Sequence, residues 1–377
     1  MKTTVLEKIW LSPPHMGGNE ETYVKEAFDS NWIAPLGPNV QQFEKSIEDF
    51  VGNNTYAACL SSGTGAIHLS LELLGIGQGD EVICQSFTFA ASANPITYLG
   101  ASPVFVDSEK ETWNISPELL EEAIKTRQAE GKKPKAIVAV HLYGMPYKVD
   151  EIHAIARKYE IPVIEDSAEA LGSSYRGFNC GSFGDFGILS FNGNKIITTS
   201  GGGALLCKYQ STKEKAVFLA TQARDNAPHY QHSRIGYNYR MSNVLAGIGR
   251  GQMEVLNDRV KARRQNFEFY KQHLSNLSEI TFINEPEGSY SNRWLTCVLT
   301  PSFNIREKIR TALENENIES RPLWKPMHLQ PVFEKNVSFV NGVSEDLFER
   351  GLCLPSGSSL ETEDLERICE TIKGILQ

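Results

Sequence analysis

Short runs of apolar and β-branched residues alternate with amphipathic stretches between residues 56 and 207. Residues 65–75, 117–124 and 149–159 lie between such runs and carry apolar side chains at helical spacing. Strands that alternate with helices predict an α/β fold with a mostly parallel sheet covered on both faces. The apolar runs are YAACLSS, EVICQS, SPVFVDS, AIVAVHLY, PVIEDSA, FGILSF and GGALLCK.

The pattern changes after residue 240. Residues 242–277 have apolar positions every three to four residues, which predicts a long helix. Short mixed elements follow, with helices predicted at residues 306–315 and 361–376. A chain of 377 residues is longer than a single hydrophobic core usually accommodates. We therefore predict a large domain over residues 1–250 and a smaller C-terminal α+β domain over residues 251–377, with the boundary inside the long helix.

Composition narrows the class of protein. A hydrophobic content of 41% and a charged content of 22% are typical of a globular protein in water. The net charge of −9 and the pI near 5.5 argue against a nucleic-acid partner, which would need clustered Lys and Arg. The seven cysteines are scattered with no C-x-x-C pair, which favours a reducing compartment and no metal site. No apolar run has the length of a signal peptide or a membrane span, so we predict a cytoplasmic protein.

Two candidate catalytic residues follow apolar runs. Asp166 ends the run in PVIED, and Lys195 closes FGILSFNGNK further along the chain. Alone, each has an ordinary structural role, Asp166 as a helix N-cap and Lys195 as a solvated turn lysine. Because ligands of such sheets bind at the carboxyl ends of the strands, we expect the two side chains to lie close together. An amine that can bind an aldehyde, beside a carboxylate that can hold a protonated pyridine, predicts a pyridoxal 5'-phosphate (PLP) enzyme.

A glycine-rich turn offers a candidate phosphate site. SSGTGAIHL couples an apolar run to a predicted helix, so the backbone N–H groups of Gly63, Thr64 and Gly65 are available to an anion. The Thr64 hydroxyl is an added donor, and Ser190, which precedes Lys195, is another. An ordinary tight turn would have a similar sequence, so the interpretation of this motif depends on its neighbours.

The segment SFTFAAS brings two phenylalanines, Phe87 and Phe89, to the same predicted edge of the sheet. Either ring could cover a flat cofactor, because offset aromatic stacking adds to the energy of area burial. A position in the hydrophobic core is the alternative for each of them. Because Lys195 and Asp166 are predicted at the same edge of the sheet, we favour a position beside the cofactor over one in the core.

GYNYRMSN, at residues 236–243, is dense in polar groups for a segment that enters a helix. Its ordinary interpretation is a helix N-terminus with Ser242 as the cap. Basic residues here and further along the chain could bind a carboxylate or a diphosphate, because a guanidinium group offers two parallel donors. Most basic residues of this kind have a structural role instead. The candidates are Arg234, Arg240, Arg293, Arg321, Lys325 and His328.

Taken in order, these motifs resemble those of the DegT-type nucleotide-sugar aminotransferases, within fold type I of the PLP enzymes. The resemblance covers nearly the whole chain and rests on SSGTGAIHL, SFTFAAS, EDSAEALGS, SFNGNKIITTSGGG, GYNYRMSN and RPLWKPMH. It implies an aspartate aminotransferase-like large domain that binds PLP on a mostly parallel, seven-stranded sheet. The segments WLSPPHMGGNE and IAPLGP look most like those of the 4-aminotransferases that act on UDP-4-keto-6-deoxy-N-acetylglucosamine in bacillosamine-type glycan pathways.

The resemblance assigns catalytic roles. It implies Lys195 as the lysine that binds the cofactor covalently and Asp166 as the partner of the pyridine nitrogen. Many relatives have a glutamine near the cofactor hydroxyl where this chain has Glu169, so the role of Glu169 stays open, although a glutamate there resembles the amino-sugar 4-aminotransferase branch. Relatives that dehydrate sugars carry a histidine at the position of Lys195. The lysine therefore predicts amination.

The resemblance also assigns binding roles. Phe89 is expected to stack on the cofactor ring, and Gly63, Thr64 and Ser190 are expected to hold its phosphate. Asn238 is expected to reach that phosphate from the other subunit, since family members are homodimers with active sites at the interface. No metal is expected in the site.

The expected reaction transfers the amino group of L-glutamate to C4 of a nucleotide-linked 4-keto-6-deoxy sugar, with pyridoxamine phosphate as the intermediate form of the cofactor. The favoured acceptor is UDP-2-acetamido-2,6-dideoxy-4-ketohexose, and the alternative is GDP-4-keto-6-deoxymannose, as in perosamine synthases. Two other classes compete. A nicotinamide oxidoreductase would need G-x-G-x-x-G after the first strand, which SSGTGAIHL does not supply. A binding protein without chemistry would not need Lys195 and Asp166.

Overall fold

The computed structural model describes residues 7–376. The prediction that the N-terminal stretch is not a signal peptide therefore falls partly outside the described residues. The helices are α1 (Glu20–Asp29), α2 (Pro38–Val51), α3 (Gly63–Leu73), α4 (Asn94–Tyr98), α5 (Pro117–Ala129), α6 (Val149–Tyr159), α7 (Gln210–Ala220), α8 (Asn243–Glu254), α9 (Leu256–Leu274), α10 (Phe303–Asn315), α11 (Val343–Arg350) and α12 (Thr362–Leu376). The strands are β1 (Tyr56–Leu60), β2 (Glu81–Gln85), β3 (Ser102–Val106), β4 (Ala136–Val140), β5 (Val163–Asp166), β6 (Ser174–Tyr175), β7 (Phe178–Asn179), β8 (Phe186–Ser190), β9 (Gly203–Cys207), β10 (Thr281–Phe282), β11 (Ser289–Tyr290), β12 (Thr296–Leu299), β13 (Arg321–Pro322), β14 (Ser338–Phe339) and β15 (Gly351–Leu354). Within residues 7–376, no helix combines the length and the apolar composition needed to cross a membrane.

Eight strands form one large sheet in the order β1-β9-β8-β5-β4-β2-β3-β14. Neighbours from β8 to β14 run parallel, whereas β9 is antiparallel to both β1 and β8. Seven of these strands are the predicted runs, so the mostly parallel sheet is confirmed. The eighth, β14, extends the predicted seven-stranded sheet beyond β3. The sequence pattern does not predict β14, because two residues are too few to leave a periodic signal.

The large sheet is buried on both faces because alternate residues of each strand point to opposite sides. One face packs against α3, α4 and α7, and the other packs against α2, α5, α6 and α8. In β1, Ala58 and Leu60 point to the face covered by α3, α4 and α7, and Ala57 and Cys59 point to the opposite face. The helices predicted between the apolar runs correspond to α3, α5 and α6.

The long helix predicted over residues 242–277 is wrong, because the structure has two helices there, α8 and α9. The chain turns at Val255, whose backbone (φ −108°, ψ 5°) is not helical and whose N–H donates to the Gln252 carbonyl, three residues back. Apolar residues keep helical spacing on both sides of the turn, so periodicity alone does not show the break. A Cβ at Gly249 of α8 would meet the Phe43 ring at 2.6 Å, so this glycine allows α8 to lie close to α2.

A second, antiparallel sheet has the order β10-β12-β15-β13 and packs against α9, α10 and α12. Because these elements all follow residue 250, we propose the division into residues 1–250 and 251–377. Several contacts cross it. Ile9 pairs with Ile318 and packs in the core between the second sheet and α9, α10 and α12. Strand β14 joins the large sheet, and β11 pairs with β6 in a third, small sheet that also contains β7.

Candidate active site

A cavity of about 370 Å³ opens where the carboxyl ends of β1, β2, β4, β5 and β8 meet. Trp294 and Trp324, which follow residue 250, also line it, so both parts of the chain form the site. Seven of the eight predicted site residues lie on its wall. They are Gly63, Thr64, Phe89, Asp166, Glu169, Ser190 and Lys195.

Asp166 is the last residue of β5 and is 4% exposed. Ser92 Oγ donates a hydrogen bond to Asp166 Oδ2 at 2.6 Å, and the Ala168 N–H donates to Oδ1 at 3.2 Å. Burial raises the pKa of Asp166 above its ordinary value, and the two hydrogen bonds act in the opposite direction. A buried carboxylate in these surroundings is stabilised by a nearby cation, and a protonated pyridine nitrogen is such a cation.

Lys195 lies in the loop after β8, between a carboxylate and an aromatic ring. Its Nζ is 3.5 Å from Glu169 Oε1 and 4.2 Å from the centroid of the Trp294 ring. The other Glu169 oxygen accepts a hydrogen bond from the Tyr143 N–H at 2.7 Å. Burial raises the pKa of Glu169, whereas the positive charge of Lys195 lowers it. Tyr143 has a left-handed backbone (φ 54°), a costly conformation that clusters at functional sites.

Helix α3 points its N-terminus at the cavity. Ser62 is the N-cap, and its Oγ accepts a hydrogen bond from the Gly65 N–H at 3.0 Å. The first turn of a helix has N–H groups without intrahelical acceptors, and Gly63 and Thr64 provide them here. A Cβ at Gly63 would meet the Ser190 Cβ at 3.2 Å, so the glycine lets the helix end lie against β8. This helix end suits a phosphate group.

The two candidate phenylalanines have different surroundings. Phe89 lies on the cavity wall and is 60% exposed, with its ring centroid 6.4 Å from that of Trp324. Phe87 is fully buried in the core behind the wall, where it packs edge-on against Tyr143. The structure therefore brings only Phe89, of these two residues, to the cavity.

The loop that carries Lys195 is held at Asn194. The Asn194 carbonyl accepts hydrogen bonds from Ser12 Oγ and from Trp294 Nε1, both at 2.7 Å. Arg263, which is buried, donates to Ser12 Oγ at 2.9 Å and also to the Trp294 carbonyl. The N-terminal segment therefore contacts the loop of the candidate catalytic lysine.

Asn238 does not line the cavity of its own chain. Its backbone forms a bridge with Thr221, at the end of α7, and Ser242 caps α8 in the ordinary way, through the Leu245 N–H. The basic candidates also lie outside the cavity lining. Arg234 pairs with Glu72, Arg240 with Glu44, Arg293 with Glu285, Arg321 with Glu319 and His328 with Glu345, and Lys325 is exposed.

Sequence reasoning missed five residues around the cavity, namely Thr88, Ser92, Tyr143, Trp294 and Trp324. Ser92 and Trp324 lie inside the motifs SFTFAAS and RPLWKPMH, but nothing in the spacing assigns a role to a serine or a tryptophan. Trp294 and Trp324 come from the second part of the chain, and only the folded arrangement shows that they reach Lys195 and Phe89.

A group of metal-ligating side chains lies outside the cavity, in the part of the chain that the structure describes. His141, Glu165 and Cys180 are all buried and close together. Both ring nitrogens of His141 are engaged, since Nε2 bonds Glu165 at 2.7 Å and Nδ1 accepts the Tyr147 N–H at 3.1 Å. Glu165 also accepts the N–H groups of residues 183 and 184. We interpret this group as a hydrogen-bond network.

The donors on the cavity wall fit the polar groups of PLP. Lys195 offers an amine for the aldehyde, Asp166 offers a buried carboxylate for the pyridine nitrogen, and the start of α3 offers N–H groups for the phosphate. Phe89 adds an exposed aromatic face beside them. These groups together therefore fit PLP.

Comparison with known proteins gives matches along nearly the whole chain. The model of the DegT/DnrJ/EryC1/StrS aminotransferase family matches residues 14–373. The chain is 52% identical over 370 residues to EpsN of Bacillus subtilis (strain 168), named as a candidate pyridoxal phosphate-dependent aminotransferase, with 97% of this chain and 95% of EpsN covered. It is 38% identical over 359 residues to the GDP-perosamine synthase of Escherichia coli O157:H7, with 95% and 96% covered.

A solved structure shows the same likeness in three dimensions. The PLP form of Spr1654 from Streptococcus pneumoniae, named as a candidate sugar aminotransferase, has a TM-score of 0.90 and 28% identity to this chain. The superposition covers 98% of each chain.

Proposed function

The chain belongs to the DegT/DnrJ/EryC1/StrS aminotransferase family and is a PLP-dependent sugar aminotransferase, and from this premise we propose that it transfers the amino group of L-glutamate to C4 of a nucleotide-linked 4-keto-6-deoxy sugar. The acceptor that we propose is UDP-2-acetamido-2,6-dideoxy-4-ketohexose. The product is then a UDP-4-amino-4,6-dideoxy-N-acetyl sugar. Family membership sets aside both the nicotinamide oxidoreductase and the binding protein without chemistry.

The observation that supports amination most directly is the presence of Lys195 in one cavity with Asp166. A lysine amine can both accept and return a proton at a carbon atom. A relative that dehydrates its sugar would be expected to carry a histidine at this position. The lysine therefore favours amination over dehydration.

The residues of the cavity divide the chemical work. We propose that Lys195 Nζ removes the α-proton of glutamate and later delivers a proton to C4 of the sugar. When bound, PLP supplies the electron sink for both steps. Asp166 keeps a positive charge at the pyridine nitrogen, and Glu169 and the Trp294 ring restrict where Nζ can lie. Because the amine is held between them, it serves both substrates from one position.

The wall of the cavity also supports a deoxy-sugar acceptor. Trp324 presents an aromatic side chain, which packs well against the apolar side of a sugar that lacks its 6-hydroxyl group. Asn192 and Asn194 line the same cavity, and amide side chains both donate to and accept from hydroxyl and acetamido groups. Ser12, which lies in the segment WLSPPHMGGNE that favours a UDP-linked sugar by resemblance, contacts the loop of Lys195.

GDP-4-keto-6-deoxymannose is the second candidate acceptor. The Escherichia coli relative, 38% identical over nearly the whole chain, is a GDP-perosamine synthase by name. Both acceptors have a ketone at C4 and a methyl group at C6, so the same lysine chemistry would serve either. They differ in the nucleobase and in the substituent at C2, which the site must distinguish.

The proposal is tested by assaying UDP-, GDP- and dTDP-linked 4-keto-6-deoxy sugars side by side with L-glutamate and measuring 2-oxoglutarate. We expect kcat/KM for the UDP-linked N-acetyl sugar to exceed that for the GDP sugar by at least about tenfold, a difference of about 1.4 kcal/mol in transition-state binding. The Lys195→Ala enzyme is the control for background. A preference for the GDP sugar would replace the acceptor, and no 2-oxoglutarate with any acceptor would overturn the proposal.

We propose a homodimer with shared active sites, in which Asn238 of one subunit contacts the cofactor phosphate of the other. Two features support it. Asn238 lies outside the cavity of its own chain. The preceding segment exposes large apolar side chains, with Tyr230 78% and Ile235 84% exposed, and such residues are often covered in an assembly. We also propose a cytoplasmic location, which the seven buried, unpaired cysteines support.

A further inference from the structure

Two hydroxyl groups form a chain of hydrogen bonds that ends on Asp166. Thr88 Oγ1 lies 2.8 Å from Ser92 Oγ, and Ser92 Oγ lies 2.6 Å from Asp166 Oδ2. The three side chains are 1%, 1% and 4% exposed, in that order. A short 3-10 turn over Ala90–Ser92 brings Ser92 back toward Thr88, so both hydroxyl groups come from the segment that follows β2.

The direction of this chain follows from a count of protons. A serine hydroxyl has one proton, and an ionised carboxylate only accepts hydrogen bonds. The Ser92 proton therefore points to Asp166, and Thr88 must donate to Ser92. Both bonds are thus directed toward the ionised form of Asp166, and in a buried chain each bond polarises the next.

We propose that Ser92 and Thr88 are positioning residues that keep Asp166 ionised and hold its carboxylate in the orientation that pairs with the pyridine nitrogen of PLP. This inference rests on the role that the proposed function gives to Asp166. Neither hydroxyl has another acceptor or donor within the hydrogen bonds described for the two side chains. A structural role alone would not require both of them to point at a buried carboxylate.

Other ionisable groups also face Asp166. Lys195 favours its ionised form and Glu169 disfavours it. His141 carries no such charge, because its Nδ1 accepts the Tyr147 N–H while its Nε2 bonds Glu165. Burial raises the pKa of the Cys84 thiol, the fourth group, so this thiol stays neutral. Since burial of Asp166 itself opposes ionisation, the hydroxyl chain adds to the favourable charge of Lys195 and does not duplicate it.

Removal of the Ser92 hydroxyl should therefore weaken the cofactor site. A hydrogen bond to a charged group is among the stronger ones in proteins, so we expect the Ser92→Ala enzyme to bind PLP about tenfold more weakly at neutral pH. Thr88→Val, which keeps the shape of the side chain, should act in the same direction by about two- to threefold. Thr88→Ser retains the donor and should bind PLP like the wild-type enzyme.

The pH dependence separates this role from a packing defect. Loss of a donor to the ionised carboxylate raises the pKa of Asp166, so the acid-side decline of PLP affinity should move to higher pH in Ser92→Ala. A packing defect would lower the affinity by a similar factor at every pH. The matched control is Ser70→Ala, because Ser70 is also fully buried but donates to the Ile67 carbonyl at 2.7 Å.

The experiment titrates each cofactor-free enzyme with PLP by absorbance from about pH 5 to pH 9, with thermal unfolding of the same samples. Weaker binding and a shifted acid limb in Ser92→Ala, with neither in Ser70→Ala, would support the proposal. Wild-type affinity in Ser92→Ala, or a loss that is uniform across pH, would overturn it. If Ser92→Ala does not fold, the comparison of Thr88→Val with Thr88→Ser gives the same decision.

This experiment can fail independently of the proposed function. No sugar nucleotide enters the titration, so the choice of acceptor does not affect it. If Asp166→Asn binds PLP as tightly as the wild-type enzyme, the role of Asp166 itself is wrong. If Asp166→Asn binds PLP weakly and Ser92→Ala does not, only the role of the hydroxyl chain is wrong.

Discussion

At the residue scale, the site depends on two buried carboxylates whose charges the chain compensates only in part. Burial raises the pKa of both Asp166 and Glu169. Lys195 lies 3.5 Å from Glu169, whereas the partner that we propose for Asp166 is the cofactor. Groups with shifted pKa values in a cavity are frequent at active sites, because the charge that destabilises the fold is the charge that the reaction needs.

Replacement of Lys195 by Ala should abolish transamination, since the amine is the proposed proton carrier. General acid–base catalysis contributes about 10²–10⁴-fold, so we expect kcat to fall by at least that factor. Lys195→Arg keeps a positive charge beside Glu169, but its guanidinium does not deprotonate, so it should be equally inactive. A single-turnover assay with glutamate measures both. Near wild-type turnover in either variant would contradict the role of Lys195.

Replacement of Asp166 by Asn should make the cofactor-free protein more stable at neutral pH while it weakens PLP binding. The folded-state pKa of Asp166 is raised, so the wild-type protein loses stability as pH rises from the unfolded-state value through the raised value. The amide does not titrate, so we expect a gain of about 1 kcal/mol in the free energy of unfolding at neutral pH.

This gain should disappear as pH falls below the same interval, where the wild-type carboxyl is protonated. Urea unfolding of the cofactor-free proteins at several pH values measures it. Asp29→Asn, which alters an exposed aspartate, is the control. An Asp166→Asn protein that is less stable than the wild type at neutral pH would argue against the raised pKa.

At the scale of elements, the end of β5 has two acidic residues with opposite surroundings. Asp166 faces the cavity, and Glu165, one residue earlier, points to the other side of the sheet. Glu165 Oε2 accepts the N–H groups of Phe183 and Gly184 at 2.7 and 2.9 Å, and Oε1 bonds His141. This carboxylate fastens the segment before β8 to the strand that carries Asp166.

Glu165→Gln should therefore destabilise the protein at neutral pH, by about 3 kcal/mol, because an amide nitrogen cannot accept the hydrogen bonds that the buried carboxylate receives. Burial alone would raise the pKa of Glu165, but hydrogen bonds from His141, Gly181 and Gly184 outweigh it and lower the pKa. The stabilisation is thus present above the unfolded-state pKa and is lost as pH falls through the lower, folded-state value.

Urea unfolding at neutral and acidic pH tests this expectation, and the difference between the two proteins should shrink in acid. Glu121→Gln is the matched control, because Glu121 also accepts hydrogen bonds, from Lys158 and Tyr159, but lies on the surface, where such interactions contribute little. Equal effects of the two substitutions would show that burial of Glu165 is not the cause.

At the scale of the whole molecule, the cavity is built by both parts of the chain. Lys195 and Asp166 come from the large sheet, and Trp294 and Trp324 come from beyond residue 250. The N-terminal segment joins them through the bond between Ser12 and Asn194. Any change in how the two parts pack would therefore alter the surroundings of the lysine amine.

The proposed dimer predicts complementation between inactive variants. If Asn238 acts across the interface, a heterodimer of Lys195→Ala and Asn238→Ala chains contains one site with both changes and one intact site. Random association after unfolding and refolding together should then restore about a quarter of the native sites. The activity of the mixture, compared with each variant refolded alone, is the measurement.

The absence of any gain on mixing would show that Asn238 does not act in trans. The Lys195→Ala protein alone, unfolded and refolded in the same way, controls for the procedure. An Asn238→Ala enzyme with full activity would remove Asn238 from the site altogether. Elution volume on size exclusion, for the wild-type enzyme, tests the dimer independently of activity.

Much of this protein can be predicted from its sequence because the signals are local. The seven main strands and helices α3, α5 and α6 leave clear periodic patterns, and a parallel sheet places the residues after its strands at one edge. That geometry is enough to bring Asp166 and Lys195 together. The order of the motifs then identifies the family, and the lysine indicates amination.

Only the tertiary structure decided the features that depend on contacts between distant segments. Periodicity does not show the turn at Val255 or the two-residue strand β14, since neither has enough residues to leave a pattern. Composition does not separate Phe89 on the wall from Phe87 in the core. The partners of the two key residues, Ser92 for Asp166 and Trp294 for Lys195, come from other elements, and their positions are set by packing, which no local pattern encodes.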